Sequence, residues 1–199
     1  EAPQIILDSI QQIVLEQQSE FNRIWQNILN ELKNEKIFLV TEKKLNREQQ
    51  KFVQEFFEEQ VRPNVIPLMI ESIEQFPYLR EKSIYLAVVL SRKNSAYKRK
   101  YALIEVPTRA VSRFVLLPSS KAGEHNIILL EDIIRFNLPR IFSFFEYETF
   151  TSHIIKVTKD AEFDIDYDEP ISYIDKIEKG IKNRRKGKPV RFVYDKEID

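Results

Sequence analysis

"SIYLAVVLSRKNSAYKRKYALIEV", Ser83 to Val106, is the stretch on which the fold turns. Two runs rich in Ile, Val, Leu and Tyr, "SIYLAVVLSR" and "KYALIEV", flank the polar and basic "KNSAYKR". β-Branched and aromatic residues on both sides of a polar turn predict an antiparallel hairpin with a basic tip. Such a pair in the middle of the chain sets the remaining segments around a sheet.

Upstream of the hairpin the period changes. Ile6, Ile10, Ile13 and Val14, then Phe21, Ile24, Trp25, Ile28 and Leu32, recur in steps of three and four. That spacing predicts an amphipathic helix from Pro3 to Asn34, weakened around "EQQSE". "IFLV", Ile37 to Val40, reads as a short buried strand. "LNREQQKFVQEFFEEQV" is a second helix, with Asn46 and Gln49 spaced as a capping box and Phe52, Val53, Phe56, Phe57 and Val61 turned inward. Pro63 stops it, because proline brings no amide and clashes with the preceding turn. "VIPLMI" is extended.

Downstream, "RFVLLP" and "NIILL" are strands, and "EDIIRFNLPRIFSFF" is a helix with acids at its positive end. The run from His153 to Asp166 reads as one long strand. Asp168 then caps a helix with Pro170 at its first position and Tyr173, Ile174, Ile177 and Ile181 along one side. Gly187 ends that helix, Pro189 keeps it from resuming, and "VRFVY" is a closing strand. The order is α+β: long N-terminal helices, then a mainly antiparallel sheet with packed helices. A single domain is expected over 1–199, with a helical segment 3–62 and an α+β body 63–199.

Composition narrows the function classes. With 31 basic and 31 acidic residues the chain has no net charge, which removes any sequence-wide argument for nucleic acid or anionic membrane. Charge is nevertheless uneven. Residues 1–75 hold thirteen acids against eight bases, residues 76–140 twelve bases against five acids, and residues 141–199 thirteen acids against eleven bases. The absence of cysteine excludes disulfides, thiolate metal sites and cysteine nucleophiles, and suits a reducing cytoplasm. The longest apolar run, Ile84 to Leu90, is too short to span a bilayer, and the start shows no signal-peptide pattern. A chain that opens "EAPQ" and whose one Met is the internal Met69 is expected to be a piece of something longer.

The candidate chemistry is sparse. "KVTKDAEFDIDYDEP", Lys156 to Pro170, carries acids at every second position from Asp160 to Asp168. A calcium loop needs Gly at its sixth place and Glu at its twelfth; counting from Asp160 these hold Ile165 and Ile171, and from Asp164 Glu169 and Asp175. Alternate strand residues share a face but do not converge, so no metal ligands are assigned. His125 falls in the polar loop "KAGEHN", and His153 shares the apolar side of a strand with Ile155 and Val157. No nucleophile elbow or Ser-His-Asp set is present, and no catalytic residue is assigned. Two basic clusters remain. Arg92, Lys93, Lys98, Arg99 and Lys100, interleaved with Tyr97 and Tyr101, could stack on and neutralise a single-stranded polyanion. Arg184, Arg185, Lys186 and Arg191, in "KNRRKGKPVR", are the candidate polyanion contacts, although cations at a helix C-terminus also serve the dipole alone.

"KVTKDAEFDIDYDE" followed about sixteen residues later by "RRKGKPVRFVY" resembles the end of the polyphosphate kinase middle domain. "IFLVTEKKLNREQQKFVQEFFEEQVRPNVIPLMI", "YLAVVL", "YALIEVPTRAVSRFVLLP" and "IILLEDIIRFNLPRIF" agree in the same order, over nearly the whole chain. Lys159 departs from the family pattern, which usually has Arg there; the charge is kept and the bidentate fork is lost. The resemblance implies a cytoplasmic transferase, with peripheral membrane association open to the parent. That enzyme passes the terminal phosphate of ATP to a growing polyphosphate chain, with Mg²⁺, through a phosphorylated His in C-terminal domains beyond this piece. Neither His125 nor His153 matches that motif. The resemblance further implies no cofactor in this piece, and contacts with the other domains of the same chain. It also implies a homo-oligomer formed through this domain, with polyphosphate as a partner and nucleic acid not. A stand-alone polyanion or nucleic-acid module using residues 92–100 is the alternative expectation.

Overall fold

The computed structural model describes residues 3–72, 79–92, 99–119, 121–159 and 189–198. The chain folds as α+β and divides into two compact units, Glu1–Val53 with Phe114–Leu129, and Gln54–Arg113 with Leu130–Asp199.

The first unit opens with helix α1, Pro3–Asn34, which runs unbroken through "EQQSE". Its expected apolar side is present, yet no residue of α1 is buried. Lys36 then takes a left-handed φ of 60°, and strand β1, Ile37–Leu39, begins. Asn46 and Gln49 form the expected reciprocal cap at the start of helix α2, Arg47–Phe56. The Gln49 amide donates to Asn46 Oδ1 at 2.9 Å, and the Asn46 amide donates to Gln49 Oε1 at 3.2 Å. Strands β5, Phe114–Leu117, and β6, His125–Leu129, complete a three-stranded sheet in the order β1-β6-β5. β1 runs parallel to β6, with Ile37 opposite His125, and β5 is antiparallel to β6. As an edge strand β1 is half-buried, not buried as its apolar sequence suggests.

The second unit carries a five-stranded antiparallel sheet in the order β2-β4-β3-β7-β8. Its strands are β2 (Pro67–Met69), β3 (Tyr85–Ser91), β4 (Lys100–Glu105), β7 (Thr149–Lys159) and β8 (Pro189–Tyr194). The pair read from Ser83 to Val106 is β3 with β4, in register from Tyr85 opposite Glu105 to Leu90 opposite Lys100. Its tip lies outside the described residues. Alternation divides the sheet's two faces. Leu86, Val88, Leu90, Ala102 and Ile104 are buried on one, while Tyr85, Leu103 and Val157 cluster with Leu79 on the other.

Three segments depart from the sequence reading. The second helix does not stop cleanly at Pro63: α2 widens to a π turn over Phe57–Val61 and tightens to a 3₁₀ turn over Arg62–Asn64 before Val65 becomes extended. The helix expected over "EDIIRFNLPRIFSFF" is broken into α3, Leu130–Phe136, and α4, Leu138–Ile141. Pro139 explains the break, because it brings no amide for the carbonyl one turn back and restricts Leu138 before it. At the break Asn137 Nδ2 donates to the Ile133 carbonyl at 2.9 Å. Lastly, β7 begins at Thr149, four residues before His153. Its expected continuation from Asp160 to Asp166, and the helix expected from Pro170, lie outside the described residues.

Candidate functional site

The acids expected at the start of α3 do more than face a helix dipole. Glu131 is fully buried and receives Arg113, whose Nη2 donates to its Oε1 at 2.5 Å and whose Nε donates at 3.2 Å. Asp132, also buried, receives Arg135 Nη1 at 2.6 Å. A buried carboxylate without a cation would carry the full cost of desolvation, so these arginines are structural partners first.

Arg135 links outward as well. Its Nε donates to Ser152 Oγ at 3.3 Å, and its Nη2 lies 3.5 Å from Asp195 Oδ2. Asp195 follows β8 and is held firmly, because the Ile154 amide donates to its Oδ2 at 2.7 Å and its own amide donates to the Ile154 carbonyl at 3.2 Å. His153 Nδ1 stands 4.0 Å from the same carboxylate oxygen, too far for a hydrogen bond. Asp132, Arg135, Ser152, His153 and Asp195 thus form a polar latch that fastens the end of β8 to β7 and α3. The Arg135 charge is spent on two carboxylates and is not presented to a ligand.

His125 opens β6, exposed, with its backbone amide donating to the Lys36 carbonyl at 2.9 Å. Arg191 lies exposed on β8 opposite Thr158; Arg184, Arg185 and Lys186 lie outside the described residues, as do the acids from Asp160 to Asp168. Of the hairpin cations, Arg92 is committed: its Nε donates to the Glu146 carbonyl at 2.5 Å and its Nη2 pairs with the Glu146 carboxylate. Arg99 is exposed and Lys100 half-buried, and Lys93, Tyr97 and Lys98 are outside the described residues. Lys159 is buried at the end of β7, its amide donating to Glu81 Oε1 at 2.9 Å.

Among the described residues no group of three or more His, Cys, Asp or Glu is placed to hold a metal ion. A depression of about 400 Å³ at the end of α1 is lined by Ile28, Glu31, Leu32, Asn34 and Glu35. Two acids and no cation give it the wrong sign for a phosphate ligand. No helix among the described residues is long and apolar enough to cross a membrane.

The latch was missed in the sequence because its parts are distant. Asp132 and Arg135 are legible as a pair three apart on a helix, but nothing local ties either to Asp195, sixty residues on from Arg135.

A family model described as the polyphosphate kinase middle domain matches residues 48–199. A polyphosphate kinase of Vibrio vulnificus strain YJ016 is 34% identical over 196 residues, covering 97% of this chain and 28% of the relative. That of Vibrio cholerae is 35% identical, and that of Escherichia coli K12 32%, over the same share. The crystal structure of polyphosphate kinase from Porphyromonas gingivalis superposes with a TM-score of 0.75 at 29% identity, over 98% of this chain and 27% of that one. The chain therefore spans under a third of the length of the curated relatives it matches.

Proposed function

The chain belongs to the polyphosphate kinase family, through its middle domain, and from that premise we propose that it is the non-catalytic scaffold of such an enzyme. The whole protein transfers the terminal phosphate of ATP to a growing polyphosphate chain. The phosphohistidine and the groups that hold Mg²⁺ and ATP lie outside these 199 residues. The chain acts as a single domain within that enzyme, in the cytoplasm.

The placing of the two histidines carries this reading. Covalent phosphoryl transfer needs an activated nucleophile, cations around the transferred group and shelter from water. His125 stands exposed at a strand start, and His153 faces a carboxylate whose nearby arginine is already engaged. The test is direct. Incubated with ATP, Mg²⁺ and a polyphosphate primer, the isolated chain yields no polymer; robust polymer growth, or recovery of phosphorylated His125 or His153, overturns the proposal.

Two finer roles belong to the same reading. Subunits associate through α1, and what supports this is its bare apolar side: Ile10, Ile13, Phe21 and Ile24 are each at least 45% exposed. Arg191 contacts polyphosphate together with Arg184, Arg185 and Lys186, supported by the density of cations in "KNRRKGKPVR". The stand-alone binding module based on residues 92–100 has less behind it, since Arg92 is tied to Glu146.

A further inference from the structure

Phe144 is 90% exposed, the most exposed large apolar side chain among the described residues. It sits in the turn between α4 and β7, beside Phe145 at 44%. A lone exposed apolar residue is ordinary, but this one is flanked by a cluster of aromatic rings. Phe142, almost wholly buried, stacks on Phe150 with ring centroids 6.0 Å apart and lies 6.2 Å from Phe145, which in turn lies 6.4 Å from Tyr147.

Hydrogen bonds fix the turn from both sides. The Phe145 amide donates to the Phe142 carbonyl at 2.9 Å, Tyr147 to Phe145 at 2.8 Å, and Glu148 to Ser91 on β3 at 3.1 Å. Arg92 clamps Glu146 and lies 5.9 Å from the centre of the Tyr147 ring. The backbone on which Phe144 stands is thus held in place, which lowers the ordering cost of a contact made there.

The position of the chain's end singles out one occupant. β8 runs antiparallel to β7, and Asp195 is pinned at Ile154, where a short turn closes from the Ile198 amide to the Asp195 carbonyl at 3.1 Å. Ile154 is four residues along the strand from Phe150, about 13 Å at the rise of a β-strand. β8 therefore runs toward the end of the sheet at which β7 begins, the end that carries the aromatic turn. The match is to a middle domain and covers 28% of the relatives, so there is substantial chain to accommodate.

We propose that Phe144 and Phe145 dock into an apolar pocket on the domain that follows Asp199 in the same polypeptide. The inference rests on reading this chain as a middle domain. A short tether gives the docking partner an effective concentration of about millimolar, so one well-held anchor is enough. The Glu146 side chain, 86% exposed beside the anchor, adds a rim acceptor that favours a donor or cation on the opposing surface.

Hydrogen–deuterium exchange on the full-length parent and on the isolated 199-residue chain tests this. The amides from Ser143 to Tyr147 should exchange at least tenfold more slowly in the full-length protein, at every protein concentration. In the full-length protein Phe144→Ser abolishes the slowing and Phe144→Leu retains most of it. In the isolated chain Phe144→Ser leaves Tm within about 2 °C, as expected of an exposed side chain. Equal exchange in the two forms overturns the proposal. So does slowing that arises in the isolated chain as concentration rises, since a second copy would then be the occupant. Polymer synthesis by the same full-length sample reports on the functional reading separately: an active sample with an unprotected turn defeats the docking alone.

Discussion

Tyr85 lies on β3 with 4% of its surface exposed, and its hydroxyl accepts the Arg80 amide at 2.7 Å. Burial pushes the phenol above its ordinary value of 10.0; the hydrogen bond from Arg80 opposes this, and the Glu105 carboxylate adds to it. The folded state therefore keeps the proton to higher pH than the unfolded chain does. Its contribution to stability is whole below about pH 10, then falls as pH rises through the unfolded value toward the folded one. Urea midpoints measured from pH 8 to pH 11 should fall more steeply for the native chain than for Tyr85→Phe. The variant should pay about 1 kcal/mol at neutral pH for the lost acceptor. Parallel curves for the two proteins would remove this account of Tyr85.

Helix α2 shows most clearly what a sequence discloses about an element. Asn46 and Gln49 are three apart, and local geometry alone dictates their reciprocal bonds. Asn46→Ala should cost about 1 kcal/mol in urea unfolding and Asn46→Ser far less; an alanine variant as stable as the native chain would mean that the cap is not used. The β3–β4 pair was legible for a similar reason, because strand periodicity and a polar turn lie within one short stretch. Less could be read where partners are remote or signals compete. The acids of α3 resemble ordinary first-turn acids until Arg113, eighteen residues earlier, is seen to neutralise Glu131. The apolar period through "DIIRFNLPRIF" continues across Pro139, whereas the hydrogen-bonded backbone cannot. For the candidate site, the sequence located the two histidines but not Asp195, whose hold on Ile154 depends on the register of β8.

At the scale of the molecule the dominant feature is the 32-residue α1 with no buried residue. Its apolar period is that of a helix with a covered side, and within one chain nothing among the described residues buries it. The double variant Ile13→Glu, Ile24→Glu should weaken self-association at least tenfold by sedimentation equilibrium while helical circular dichroism stays unchanged. Association of undiminished strength would place the subunit contact elsewhere. The first unit adds a further consequence, because β1 pairs with a strand that the chain reaches only at His125. During synthesis about 90 residues must leave the ribosome between the two, an interval on the order of 4–18 s at ordinary elongation rates. Throughout it β1 awaits the strand it pairs with, so the fold of this unit closes only late in synthesis.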